Sequence, residues 1–269
     1  MAKPQALLFD TDGTIADTEE LHRWSYNQAF LRANTDWNWD PDQYVRLLAV
    51  SGGHDRLASY VDRLAVPDDE KNRLRQLLPH IHRTKTEEYA ARLQEGHIKP
   101  RPGVIRLIEQ ASAAGLKIGF VSSSAWSNVT ALLAAALSSL NGPEIGAVVN
   151  TEMVPRKKPA PDVYELLMGM LRVASRDCVV VEDSANGVRS ARAAGLCVVA
   201  TPSRWTSHQD FSQANLVLRS LGDPDAPLDP DDAARIGGAR WLGLEQITEL
   251  WSRSAPTPAA PTPTLMAGT

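Results

Sequence analysis

Asp10-Thr11-Asp12-Gly13-Thr14 follows directly on an apolar run at residues 6–9. Alternate residues of an extended chain share a face, so Asp10 and Asp12 can point to one side of a strand end. Gly13 lets the chain turn away sharply. A nucleophilic carboxylate beside a second acid suits covalent phosphoryl transfer, one group attacking and the other handling the proton. A turn with two exposed aspartates would read the same way, so the pattern needs partners. Three later features supply them. Ser122, Ser123 and Ser124 close an apolar run, where hydroxyls and loop amides can hold phosphate oxygens. Lys158, in Lys157-Lys158-Pro159-Ala160-Pro161-Asp162, offers a cation that offsets phosphate charge and keeps a nearby carboxylate ionised. Glu182 and Asp183 follow another apolar run and suit a hard, oxygen-ligated cation such as Mg²⁺. Asp183 equally fits a helix N-cap, and it can serve both ends.

These groups need a scaffold that gathers strand ends. Short apolar runs at 6–9, 116–121, 147–149, 178–181 and 196–200 read as buried strands. Helical stretches at 104–114, 128–139, 162–171 and 185–194 lie between them, with Gly115 and Gly195 placed as helix stops. Strand alternating with helix predicts an α/β fold, a Rossmann-like parallel sheet with helices on both faces. Reactive groups in such sheets collect at the carboxyl ends of strands. Residues 17–96 hold no convincing strand and read as an inserted α-helical cap, with Arg101-Pro102-Gly103 marking the return. The expected division is a core of 1–16 and 97–253, a cap of 17–96, and a disordered tail of 254–269. Residues 222–232, GDPDAPLDPDD, read as a loop.

Composition narrows the class. A chain of 269 residues that is 43% hydrophobic can bury a full core without staples. A net charge of −4 gives no general pull toward nucleic acid or an anionic membrane. Two cysteines, Cys178 and Cys197, exclude a disulfide-dense scaffold and read as inert core thiols. No apolar run reaches membrane-spanning length, and the first ten residues lack a signal-peptide core. A soluble, cytoplasmic, monomeric enzyme is the expectation, with neither nucleic acid nor membrane as partner.

Taken in order, the segments at 10–14, Ser122, Lys158 and Glu182-Asp183-Ser184-Ala185-Asn186-Gly187 resemble the four motifs of the haloacid dehalogenase (HAD) superfamily. The resemblance spans about residues 5–218. It implies a Mg²⁺-dependent aspartyl-phosphate mechanism beneath a helical cap. In that scheme Asp10 attacks phosphorus. Asp12 protonates the leaving oxygen and then deprotonates water. Asp10, the Asp12 carbonyl and Asp183 would ligate the metal, Glu182 would support it from behind, and Ser122 and Lys158 would steady the phosphoryl oxygens.

The cap is similar to that of the CbbY-like branch, close to β-phosphoglucomutases. The matching segments contain Glu19 and His22, then Gly52, Gly53, His54 and Arg56, then His82, Arg83 and Lys85. The branch's characterised type is similar to a phosphatase for xylulose 1,5-bisphosphate, an inhibitor of Rubisco, so a small phosphorylated sugar is the implied substrate. The branch carries Lys where this chain has His54, and an imidazole keeps a donor but only part of the charge near pH 7. Read without the family, Gly52-Gly53 permits close approach to an anion, and Arg56, Arg83 and Lys85 offer charge for a distal phosphate. The alternative for these bases is a solvated helical face. Trp24, Trp37 and Trp39 read as packing groups, and His80 and His208 as surface or packing groups. A phosphomutase would share the same intermediate. Metal-free carbon–halogen cleavage would leave Asp12 and Asp183 without a task, and a phospho-aspartate receiver would need neither the insertion nor Lys158.

Overall fold

The computed structural model describes residues 3–96, 98–140 and 145–254. Six strands form one sheet: β1 (Ala6–Asp10), β2 (Lys117–Ser122), β3 (Ile145–Asn150), β4 (Cys178–Glu182), β5 (Cys197–Ala200) and β6 (Leu216–Val217). Their order is β3-β2-β1-β4-β5-β6, and every pairing is parallel. The chain builds outward from β1 to β3 and then returns to lay β4 on the other side of β1. That reversal opens a crevice at the carboxyl ends of β1 and β4. Phe9 pairs with Val181, so Asp10 and Glu182 end the two strands at the same level.

The helices are α1 (Glu19–Arg32), α2 (Pro41–Leu47), α3 (Gly53–Asp62), α4 (Asp68–Gln94), α5 (Val104–Ala113), α6 (Trp126–Ala136), α7 (Asp162–Leu171), α8 (Ala185–Ala193), α9 (Pro230–Arg235) and α10 (Leu244–Ser254). Leu7, Phe9, Phe120 and Val181 pack on one sheet face against α5, α6 and α10. Leu8, Val121, Val180 and Val198 pack on the other against α7 and α8. This alternation with period two is what a strand buried on both faces requires. Cys178 and Cys197 are both buried and free, one in each apolar layer.

Three expectations change. The two-residue β6 was too short to give a sequence signal. Residues 230–235 are helical, because Asp229 accepts hydrogen bonds from the Asp231 and Asp232 amides and Pro230 opens the first turn. Residues 244–254 form α10, so Ser254 ends a helix; residues 255–269 of the expected tail lie outside the described residues. Among the described residues, no helix is long and apolar enough to cross a membrane.

The helical insertion has an aromatic centre of its own. Trp39 is fully buried, with ring centroids 4.6 Å from Tyr26 and 4.9 Å from Phe30. Trp37 packs edge-on to Phe30 and Tyr60, and Trp24 lies beneath the Arg92 guanidinium. The insertion is also fastened to the sheet. Ala16 and Pro100 bridge where the chain leaves and returns, and Tyr89 and Leu93 of α4 join the apolar layer of β1 and β2. Trp205, beyond β5, meets Tyr44 edge-on at 5.7 Å.

Truncating Trp39 to Ala should destabilise the protein by about 3–5 kcal/mol, the usual loss for a large buried aromatic. Trp39→Phe should lose much less, since it retains most of the packing and removes an indole N–H that has no hydrogen-bond partner. Urea midpoints of the two variants check this; equal losses would place the value of Trp39 in its N–H rather than its rings.

Candidate active site

Asp10 closes β1 and is almost fully buried. Its Oδ1 accepts from Lys158 Nζ at 2.6 Å, and the same ammonium donates to Glu182 Oε1 at 2.6 Å. Burial raises the Asp10 carboxyl well above the usual range, and the Lys158 charge only partly offsets this. Burial would lower Lys158, but Asp10 and Glu182 outweigh it and hold the ammonium above its ordinary value. Asp183 follows β4 and is also raised, by burial and then by the charges of Asp10 and Glu182. Gly13 makes room for it: a Cβ there would lie 2.2 Å from Asp183 Oδ2, and the residue sits at φ +86°.

Asp12 is held by a ring of donors from three parts of the chain. Oδ1 accepts from Thr18 Oγ1 at 2.7 Å, His22 Nε2 at 2.8 Å and the Tyr89 hydroxyl at 3.0 Å. Oδ2 accepts from Ser124 at 2.7 Å and Ser122 at 3.3 Å. Burial raises the Asp12 carboxyl, but adjacent His22 and the hydrogen bonds from His22, Ser124 and Thr18 outweigh it and hold Asp12 well below the carboxylate range. Behind it, Lys85 Nζ lies 2.6 Å from His22 Nδ1. With Lys85 donating to Nδ1, the imidazole carries its proton on Nε2 and passes it toward Asp12. Burial pushes Lys85 down to about 7.

A cavity of about 450 Å³ lies above these groups. Asp10, Asp12, Lys158 and Asp183 form its floor. Glu19, His22, Arg56, His82 and Lys85, with Gly52 and Gly53, close it from the insertion, and Ser123 stands on the wall. Arg56 Nη1 donates to the Tyr44 hydroxyl at 3.1 Å, which donates to Glu19 at 2.8 Å. Asn186 of α8 reaches across to the Ala49 carbonyl at 3.0 Å, and Lys157 pairs with Asp55 at 2.7 Å, so sheet and insertion meet along the rim.

Three expected residues stand elsewhere. Arg83 is exposed and bonds to His80, because two residues along a helix turn a side chain by about 200° from Lys85. His54 is half exposed beside Asp55 and does not line the cavity. Ser122 is fully buried behind the wall and braces Asp12, leaving Ser123 and Ser124 of this run on the cavity. Glu182, expected to support a metal from behind, lies behind the floor, where Lys158, the Tyr164 hydroxyl and the Asp183 amide bond to it. His208, expected as a surface or packing group, lines the cavity rim. Sequence reasoning missed Tyr44, Tyr89 and Asn186, and it offered Ser124 to phosphate oxygens, whereas the Ser124 hydroxyl donates to Asp12. Tyr89 could have been found from its place four residues after Lys85 on one helical face.

The acids fit a divalent cation. One oxygen each from Asp10, Glu182 and Asp183 lies within 4.8 Å of the others. Asp10 Oδ2 is buried without a hydrogen-bond partner, and the donor set is all oxygen, as a hard cation requires.

A carboxylate pair at the end of the first strand, a lysine at its side and an acidic pair at the end of the fourth define a hydrolase. Residues 4–195 match the haloacid dehalogenase-like hydrolase family, and the chain belongs to it. Within that family it is similar to the plasmid-encoded protein CbbY of Cupriavidus necator, at 40% identity over 246 residues, covering 90% of this chain and 95% of that protein. It is also similar to the crystal structure of CbbY from Rhodobacter sphaeroides in complex with phosphate, with a TM-score of 0.73 and 36% identity over 82% of this chain and 98% of that one. A mutant of the same CbbY in complex with xylulose-(1,5)bisphosphate matches equally well, with a TM-score of 0.73 and 35% identity over the same shares of the two chains.

His82 sits partly buried beside Gly53, with its ring 6.1 Å from His54. Burial, then the charges of Lys85 and His54, push its imidazole down to about 4. The folded value lies below the ordinary value of about 6.5, so the neutral ring is favoured. Its contribution to stability is complete above about pH 6.5 and is lost as pH falls toward 4. Between those values wild type should lose about 1–3 kcal/mol more than His82→Gln. Urea unfolding at several pH values tests this, and parallel curves would refute it.

Proposed function

We propose that this hydrolase is a Mg²⁺-dependent sugar-phosphate phosphatase that converts xylulose 1,5-bisphosphate to xylulose 5-phosphate through an aspartyl-phosphate on Asp10. The observation that carries this reading is the floor of the cavity: a lysine-held carboxylate with one free oxygen, a second acid two residues on, and an acidic pocket beside them. The bisphosphate bound by the Rhodobacter sphaeroides mutant supports the substrate.

Asp10 Oδ2 attacks phosphorus in line as the bond to the sugar oxygen breaks. Asp12 gives that oxygen its proton. It then takes a proton from water, whose oxygen attacks phosphorus, breaks the bond to Asp10 and frees inorganic phosphate. Asp12 rests as a carboxylate, and the chain from Lys85 through His22 is suited to supply the proton it needs before the first step; the proton taken from water then restores it. Lys158, Ser123 and nearby loop amides offset the charge on the phosphoryl oxygens. The carboxylates of Asp10 and Asp183 and the main-chain carbonyl of Asp12 would hold Mg²⁺, with Glu182 behind them. Bound there, the ion adds charge compensation for the transferring group. Residues 17–96 act as the cap over a core of 1–16 and 97–253, and the contacts along the rim exclude bulk water when the cavity is filled.

Release of inorganic phosphate from sugar mono- and bisphosphates, measured with Mg²⁺ and with EDTA, tests the reading and separates it from a phosphomutase, which would return the phosphate to sugar. Asp10→Asn should abolish release with the fold intact. Asp12→Asn should lower it by about 10²–10⁴, the usual worth of a general acid–base. Full activity in Asp10→Asn, or release untouched by EDTA, would sink the mechanism.

Of the expected distal set, Arg83 faces solvent, and Arg56 and Lys85 both line the cavity, but the Lys85 ammonium is already bonded to His22, which leaves Arg56 for the distal phosphate. Arg46 of α2 and Arg189 of α8 add exposed cations on the rim. Arg56→Ala should therefore weaken kcat/KM for the bisphosphate by about 1.5–3 kcal/mol, a charge-assisted hydrogen bond, and barely change a matched monophosphate. Equal losses on both substrates would make Arg56 a support of the insertion rather than a phosphate ligand.

A further inference from the structure

Arg101 entered the sequence reading only as a marker of the chain's return from the insertion. The structure gives it a larger part. Its main-chain N–H donates to the Ile15 carbonyl at 2.8 Å. Its guanidinium donates to the carbonyls of Gly13 at 2.5 Å, Thr201 at 2.6 Å, Pro202 at 3.2 Å and Arg219 at 2.9 Å. Those carbonyls belong to the segments that follow β1, β5 and β6. Among the described residues Arg101 forms no ion pair, although Asp183 exerts the strongest charge effect on it. A mostly buried cation directed almost wholly at main-chain carbonyls is a cross-link, and the planar fork of arginine suits it to several fixed acceptors at once.

What it cross-links is the turn that shapes the acidic pocket. Main chain and side chain of Arg101 grip residues 15 and 13, the two ends of one turn. Gly13 is in direct contact with Asp183, so close that a methyl group there would overlap the carboxylate. The same turn orients the Asp12–Gly13 peptide and hence the Asp12 carbonyl. We propose that Arg101 is a positioning residue of the metal site, locking the turn at 13–15 to the loop at 201–202 and so fixing the Asp12 carbonyl and the Asp183 carboxylate in one geometry. The inference rests on the reading that these two groups hold a divalent cation.

Isothermal titration of Mg²⁺ into the metal-stripped full-length protein tests it, with thermal melts alongside. Wild type should bind. Arg101→Met should bind about 10–100-fold more weakly, the usual effect of removing a group that orients metal ligands. Arg101→Lys keeps the charge but three donors instead of five, and should fall between the two. Arg106→Met is the control for general loosening. Arg106 also holds main-chain carbonyls, those of Gly222 and Leu242, and pairs with Asp223, but away from the acids. Its loss should lower the melting temperature and leave Mg²⁺ affinity as in wild type. The KM for xylulose 1,5-bisphosphate at saturating Mg²⁺ should change less than about twofold in Arg101→Lys, because the cavity walls are untouched. Wild-type affinity in both Arg101 variants, or an equal loss in Arg106→Met, overturns the proposal. Should Arg101→Met not fold, Arg101→Lys decides alone, and wild-type affinity in it overturns the proposal. A wild-type protein that binds no Mg²⁺ would instead sink the metal reading, and this inference with it.

Discussion

Lys158 is the charge that the core cannot do without. Its side chain is 2% exposed, and its ammonium sits 2.6 Å from both Asp10 and Glu182. An ion pair taken out of water is held together only where every remaining lone pair finds a donor. Glu182 meets that condition through the Tyr164 hydroxyl and the amide of Asp183. The start of α8 is shaped by the same need: Gly187 has no side chain where a Cβ would lie 1.8 Å from Glu182 Oε1. One face of α7, the end of β4 and the first turn of α8 are thus organised around one buried carboxylate, which holds the lysine beside Asp10. Asp10 lines the cavity and keeps one buried oxygen, Oδ2, without a hydrogen-bond partner.

The second acid ties the helical insertion to the chemistry. Asp12 belongs to the segment after β1, yet its donors include His22 of α1 and Tyr89 of α4, seventy-seven residues away. His22 and Tyr89 stack with centroids 4.1 Å apart, and the Lys85 ammonium lies 4.9 Å above the Tyr89 ring. The packing of α1 on α4 therefore sets the hydrogen bonding of Asp12. An insertion joined to the sheet only by its two crossing segments could move without touching the acid. This one cannot, because α4 runs on into the apolar layer beside β1 and β2.

This explains which parts of the site were legible in the sequence. Asp10, Lys158 and Asp183 stand where apolar runs stop or helices begin, and a change from buried strand to charge is a local signal. Asp12 with Gly13 is local in the same sense. Tyr44 and Arg101 are placed by contacts between segments far apart in the chain, and nothing in their immediate neighbourhoods distinguishes them from packing or surface residues; Tyr89 has only its place one helical turn after Lys85 as a local signal. Arg83 shows the opposite error. Basic residues close in sequence look like one cluster, but helix geometry sends Arg83 and Lys85 to opposite sides. Glu182 and Asp183 are adjacent in sequence, and strand alternation turns their side chains to different tasks. The sheet itself was legible because each long strand is apolar throughout; β6 and α9 were not, being too short for periodicity to show.

The acidic floor leaves a charge imbalance that the fold does not resolve on its own. Asp10, Glu182 and Asp183 bring oxygens within 4.8 Å of one another, and Lys158 is the one ammonium bonded among them. Two negative charges at that spacing repel by about 3–4 kcal/mol at an effective dielectric of 20. Burial first, and these neighbouring charges after it, raise the carboxyls of both Asp10 and Asp183. A fold selected for stability alone would place a second cation or an apolar residue at position 183. Arg101 comes nearest to that role, but its donors go to main-chain carbonyls and not to the carboxylate. The pocket is left electrostatically unsatisfied on the side facing the cavity. That is the condition under which a divalent cation, and then a phosphoryl group carried with it, is bound more strongly than water.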